Sequence, residues 1–152
     1  MVAGVDRNLP LALRSLQEAK VVVYGAFGGR MDQEMQSVNA LFHWGQTFGS
    51  LVLAGQECFA VLLPGPAEDS EQEAARYRIR RCSWQGDTCG LIPIAGKVQH
   101  LTTAGLKWDM QDATCGFGGL VSTSNAMEKE EVFVDTSGPL LWTAAWMVPD
   151  VM

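Results

Sequence analysis

Lys20-Val-Val-Val-Tyr24, Gly25-Ala-Phe-Gly-Gly-Arg30 and Met31-Asp-Gln-Glu-Met-Gln-Ser-Val-Asn-Ala-Leu-Phe42 follow one another without a break. Their textures decide the first part of the fold. The β-branched run is short and apolar on both faces, which predicts a buried strand of a parallel sheet. Met31, Met35, Val38 and Phe42 lie along one face of a helix. Upstream, Leu9, Leu11, Ala12, Leu13 and Leu16 predict a short amphipathic helix over Leu9–Ala19, with Pro10 tolerated in its first turn.

Helix, strand, glycine-rich turn, helix is the α/β arrangement in which ligands sit at strand carboxyl ends. The backbone N–H groups of Gly28 and Gly29 can approach an anion, and the following helix start favours negative charge. Arg30 offers a fork for phosphate oxygens. Asp32 either holds a magnesium ion or satisfies the helix dipole. Gly25-x-x-Gly28-Gly29 matches neither the dinucleotide nor the Walker pattern, so an ordinary βα turn with a capping acid is the plainer reading of the spacing.

After Phe42 the texture changes. Ser50–Ala54 and Cys58–Leu63, split by Gly55-Gln-Glu57, predict a hairpin. Pro64 to Glu73 is an acidic loop. Ala75-Arg-Tyr-Arg-Ile-Arg80 alternates strictly, with a solvated arginine row. Short strands are expected around Cys89–Ile94, Val98–Thr103, Thr114–Val121, Glu131–Asp135 and Leu140–Met147. Strands at this spacing indicate an antiparallel sandwich or barrel. The chain therefore divides near residue 48. Residues 1–48 read as the tail of an α/β unit and residues 49–152 as an all-β domain.

Within the second part, Gln99-His-Leu-Thr-Thr-Ala-Gly-Leu-Lys-Trp-Asp-Met110 and Phe117-Gly-Gly-Leu-Val-Ser-Thr-Ser-Asn125 suit a small-ligand pocket better than a core. Trp108 offers a stacking plate, while Ser122, Thr123, Ser124 and Asn125 offer directed hydrogen bonds. A core tryptophan beside a strand-end turn is the plainer alternative. Trp84, Trp142 and Trp146 read as packing, and His43 and His100 as core or surface residues.

Composition narrows the classes. Apolar residues make up 47% of 152, enough for a core. Seventeen acids against eleven bases give a net charge of −6, with no basic cluster to hold a duplex. No nucleic acid partner is expected. No apolar run is long enough to span a bilayer, and the first residues lack a signal-peptide pattern, so no membrane is expected either. Cys58, Cys82, Cys89 and Cys115 have no paired metal spacing and read as reduced thiols of a cytoplasmic protein.

Four segments, in order, resemble thiamine pyrophosphokinase of the eukaryotic type. They are Gly28-Gly-Arg-Met-Asp-Gln33 with Ser37-Val-Asn-Ala-Leu-Phe42, then Gly86-Asp-Thr-Cys-Gly-Leu-Ile-Pro93. Leu101-Thr-Thr-Ala-Gly-Leu-Lys-Trp108 with Phe117–Asn125 follows, and Gly138-Pro-Leu-Leu-Trp-Thr143 closes the set. The resemblance implies the C-terminal part of a parallel-sheet nucleotide domain, followed by a jelly-roll-like β-sandwich that binds thiamine. It implies transfer of a diphosphoryl group from ATP to the hydroxyethyl group of thiamine, giving thiamine diphosphate and AMP, with Mg2+ as cofactor. It also implies a homodimer with shared active sites. By resemblance, Gly28, Gly29 and Arg30 form the nucleotide corner, with Asp32 on the magnesium side and Arg30 and Gln33 positioning phosphate or substrate. Trp108, Ser122, Thr123, Ser124 and Asn125 are then thiamine contacts.

The sequence also departs from the family. A Gly-Asp-x-Asp-Ser type turn, whose aspartates are the family's main magnesium ligands, does not occur. Where a Thr-Asp-Phe element belongs, Arg7-Asn8-Leu9 stands, with Asp6 nearby. One carboxylate is little to neutralise a magnesium–ATP complex. A fragment of a full enzyme and a thiamine-binding module without transfer chemistry both fit these departures. So does a dimerising scaffold.

Overall fold

The structure, a computed structural model, describes residues 16–67 and 69–147. The chain forms two compact units, one ending at Leu62 and the other starting at Leu63. The helix expected over Leu9–Ala19 lies outside the described residues except at its end, where residues 16–18 are helical. Arg7-Asn8-Leu9 and Asp6 also lie outside them.

In the first unit, β1 (Lys20–Tyr24) leads through the glycine turn into α1 (Met31–Trp44), and the chain returns as β2 (Ser50–Ala54). β1 and β2 are parallel, in register from Lys20↔Ser50 to Tyr24↔Ala54. β2 then turns into β3 (Cys58–Leu63) as the expected antiparallel hairpin, with Ala54 opposite Phe59 and Gly55 N–H donating to Cys58 C=O at 2.8 Å.

Two expectations for this unit are corrected. β1 is parallel but not buried: Val22 is 63% and Tyr24 77% exposed. Among the described strands only β2 pairs with it, and a strand sheltered on one side keeps its faces open. The helix buries Val38 and Leu41, while Met31, Met35 and Phe42 are exposed. Of the four residues expected on the apolar face only Val38 is buried; it is joined by Leu41, three positions on, and the helix packs against β2.

The second unit is all β. Its strands are β4 (Ala75–Arg80), β5 (Gln85–Ile92), β6 (Val98–Ala104), β7 (Ala113–Cys115), β8 (Ser122–Ala126), β9 (Glu131–Thr136) and β10 (Leu140–Trp146). One set runs β10-β5-β8 and the other β4-β9-β6-β7, with every pairing antiparallel. Leu91, Val98, Leu101, Val132, Val134, Leu140 and Trp142 are buried and form the core. β4 alternates as its sequence demands: Arg76, Arg78 and Arg80 are exposed, and Arg76 and Arg80 pair with Asp135 and Glu131 across the ladder.

The strand expected over Thr114–Val121 is cut short at Cys115. Gly116 to Gly119 turn instead, closed by Gly119 N–H to Gly116 C=O at 3.0 Å and Gly116 N–H to Leu120 C=O at 2.9 Å. The next strand, β8, contains the very residues read as a pocket corner. β5 begins at Gln85 rather than Cys89, because Gln85 already pairs with Trp146. All four cysteines are free. No helix of the described residues is long and apolar enough to cross a membrane.

Candidate functional site

The β8 strand explains how a string of small polar residues becomes part of a site. Cys89 faces Asn125 and Leu91 faces Ser122, so β8 carries one more residue than β5 over the same stretch. This is a β-bulge, and Ser124 absorbs it at φ 55°. The bulge needs a bare backbone opposite. A Cβ on Gly90 would stand 2.9 Å from Ser122 C=O and 2.9 Å from Thr143 Oγ1. Thr123 and Ser124 are exposed; Ser122 and Asn125 are buried.

Asn125, 4% exposed, uses its whole carboxamide within the protein. Nδ2 donates to Trp108 C=O at 2.9 Å and to Ser122 Oγ at 3.2 Å. Oδ1 accepts from Trp108 N–H at 3.2 Å and from Ala126 N–H at 2.8 Å. The amide thus pairs with both backbone groups of residue 108, as a neighbouring strand would. It extends a short antiparallel contact in which Leu106 bridges Met127 and Lys107 N–H donates to Ala126 C=O at 2.8 Å. The result is a clamped backbone beneath an indole that is 57% exposed. Lys107 Nζ lies 4.7 Å from the centre of the Trp108 ring.

Asp109 shapes the same turn from inside. Its Oδ1 accepts from Thr103 Oγ1 at 2.9 Å and Leu106 N–H at 3.0 Å, and Oδ2 accepts from Gly105 N–H at 3.0 Å. Thr103 Oγ1 in turn accepts from Met110 N–H at 2.9 Å. Gly105 sits at φ 107°, where a Cβ would meet Glu131 C=O at 2.6 Å. Burial pushes the Asp109 carboxyl up, but the Gly105 and Leu106 N–H groups, the Thr103 hydroxyl and the Lys129 charge together hold it below the ordinary carboxylate range. Sequence reading assigned Asp109 no role. The signal was a short acid just after a Thr-x-Gly turn, the type of residue that bonds nearby backbone.

The glycine corner belongs to the first unit. Gly28 N–H and Gly29 N–H both point at an anion, and that anion is the protein's own. Both donate to Glu34 Oε1, at 2.9 and 3.0 Å. Arg30 likewise faces inward along the chain, with Nε donating to Asp32 Oδ1 at 3.1 Å and an Nη to Oδ2 at 2.6 Å. The guanidinium holds the exposed Asp32 carboxyl below the ordinary range. Gln33, in the first turn, accepts through its C=O from Ser37 Oγ at 3.1 Å. Glu34 was missed because an acid in a helix's first turn is commonplace. Among the described residues no group of three His, Cys, Asp or Glu side chains could hold a metal ion. Asp32 is paired with Arg30 through both of its carboxylate oxygens.

The residues nominated from sequence therefore form two clusters, Gly28–Gln33 in one unit and Trp108 with 122–125 in the other. A shallow concavity of about 480 Å³ is bordered by Lys97, Cys115, Phe117 and Leu120; it takes in the start of the Phe117–Asn125 stretch, but neither Trp108 nor residues 122–125 line it. Cys89, behind the bulge, is buried, and burial pushes its thiol up to about 11, which leaves it inert near neutral pH.

Residues 76–141 match a family model described as the thiamin pyrophosphokinase vitamin B1 binding domain. Thiamine pyrophosphokinase 2 of Arabidopsis thaliana is 38% identical over 125 residues, covering 82% of this chain and 43% of that protein. Thiamine pyrophosphokinase 1 of Oryza sativa subsp. japonica is 34% identical over 142 residues, covering 93% and 50%. The chain thus spans about half the length, or less, of these curated relatives. Among solved structures, yeast thiamin pyrophosphokinase superposes with a TM-score of 0.71 at 24% identity, covering 86% of this chain and 41% of that one. The Bacillus subtilis enzyme superposes with a TM-score of 0.71 at 16% identity, covering 90% and 60%. These structural likenesses show a shared β-rich, two-sheet fold.

Proposed function

We propose that this chain, which belongs to the thiamine pyrophosphokinase family through its vitamin B1-binding domain, carries the thiamine-binding part of an ATP:thiamine diphosphotransferase. The reaction passes a diphosphoryl group from ATP to the hydroxyl of thiamine's hydroxyethyl arm and releases AMP and thiamine diphosphate. One observation carries the reading: Trp108 stands exposed on a backbone that buried Asn125 holds from both sides. A flat aromatic heterocycle gains most from an indole fixed in advance, because no loop has to be ordered on binding.

In this proposal Trp108 stacks on a thiamine ring, and the Thr123 and Ser124 hydroxyls give direction at the exposed side of β8. Ser122 and Asn125 position Trp108 rather than touch the ligand. The first unit, read as the end of a parallel nucleotide domain, brings Gly28, Gly29, Arg30 and Gln33 to the phosphates. There Glu34 and Asp32 keep the donors paired until a more highly charged anion replaces them. Mg2+ stays in the proposal only as the companion of ATP. Asp32 is the carboxylate that would face it, and no step is routed through it. A jelly-roll β-domain, a homodimer and a cytoplasmic setting complete the proposal.

A second reading, a thiamine or thiamine diphosphate-binding module without transfer, is favoured by one feature: the phosphate donors are satisfied internally. Two measurements separate the readings. Trp108→Ala weakens thiamine binding by roughly 1–3 kcal/mol, the usual value of stacking on a heterocyclic base, as read by calorimetry. Unchanged affinity would remove the stacking role. Release of AMP from ATP, thiamine and magnesium by the same preparation supports transfer. Thiamine binding without AMP release supports the module.

A further inference from the structure

We propose that Lys107 sets the charge preference of the Trp108 site, disfavouring the cationic vitamin and favouring its diphosphate. The inference rests on the reading of Trp108 as a stacking residue. An indole has two faces, and the Lys107 ammonium stands over one, 4.7 Å from the ring centre. Both partners start from anchored backbone. Lys107 N–H is tied to Ala126 C=O, and Trp108 is tied through both its N–H and C=O to Asn125. The Lys107 stem is therefore rooted beside the plate, within reach of either ring face or a ligand on it.

Two consequences follow from elementary electrostatics. A cation over one face draws ring density toward itself, so a cationic thiazolium at the site gains less from the π system and meets a like charge. An anionic tail on the same ligand meets an opposite charge on a flexible stem that can swing toward it. The neighbouring carboxylate does not cancel this effect. Asp109 faces the other way, with its oxygens taken by Gly105, Leu106 and Thr103. The one further charge that acts on Asp109 is that of Lys129, also a cation. Lys107 then distinguishes the alcohol from its phosphorylated ester at the plate that binds the shared rings.

The test compares thiamine and thiamine diphosphate as ligands of wild type, Lys107→Gln, Lys107→Arg and Trp108→Ala, by calorimetry at low salt. Lys107→Gln is expected to tighten thiamine about two- to fivefold, the worth of an exposed cation–π contact. It is expected to weaken thiamine diphosphate by about fivefold or more, the worth of a close charge pair in water. Lys107→Arg should keep the wild-type order, and added salt should shrink the diphosphate effect alone. Shifts of both ligands in the same direction, or of neither, while Trp108→Ala still weakens binding, overturn the role of Lys107 and leave the stacking reading standing. Indifference of both ligands to Trp108→Ala overturns the two together.

Discussion

Asn125→Ala tests the central piece of the site. The substitution removes four hydrogen bonds made by one buried carboxamide, two of them to the backbone of Trp108. A net contribution of about 0.5–1.5 kcal/mol per neutral bond would give a total of roughly 2–6 kcal/mol. The Trp108 backbone is only partly buried, so water recovers some of this, and a loss of about 2–3 kcal/mol is expected. In a unit of this size that lowers the midpoint of thermal unfolding by roughly 10 °C. Thiamine affinity should fall as well, because the indole is no longer held in advance. Asn125→Asp sharpens the test. It keeps the acceptor for Trp108 N–H and Ala126 N–H but sets a carboxylate against Trp108 C=O, so its loss should equal or exceed that of alanine. Differential scanning calorimetry gives the first quantity and isothermal titration the second. An alanine variant that melts with wild type and binds thiamine equally would refute the claim that Asn125 is the clamp.

Gly90→Ala should destabilise the β5–β8 pairing by roughly 1–3 kcal/mol, since its Cβ meets Ser122 C=O and Thr143 Oγ1 at 2.9 Å and both belong to strands; the urea midpoint reads it. Asp109→Asn should flatten the acid side of the stability profile. A carboxyl held below its unfolded value contributes stability above that value and loses it as pH falls through the folded value, so the wild-type loss lies below the ordinary carboxylate range. Unfolding curves collected from neutral pH down through pH ~3 should show this slope in wild type and a shallower one in the variant.

Much of the architecture was legible in the residues. The strand at Lys20–Tyr24, the Gly55 hairpin and the alternating β4 all follow from local periodicity and turn chemistry, which one segment carries without help. That Ser50–Ala54 pairs in parallel with Lys20–Tyr24, rather than belonging only to the part after residue 48, is a pairing between distant segments that the residues did not reveal. The string Ser122-Thr-Ser-Asn125 showed its importance but not its mechanism. Side chains of one type divide into exposed hydroxyls and buried clamps only once a bulge has turned them, and the bulge is a property of two strands in register. The burial of β1 was misjudged for a related reason. A β-branched run fixes what a strand can bury, while its neighbours decide what it does bury.

Sequence by itself supplied the resemblance to a family, most of the order of elements and the residues around which a ligand would be sought, because those depend on residue type and spacing along the chain. Tertiary structure decided that Asn125 holds Trp108, that Glu34 fills the glycine turn and that Lys107 stands over the indole. The Asn125 clamp joins residues seventeen positions apart. The contacts of Glu34 and Lys107 join close neighbours through side-chain directions that spacing alone leaves open. In each, the deciding quantity is a hydrogen bond or ring contact a few ångströms long, and only the folded backbone sets such a distance.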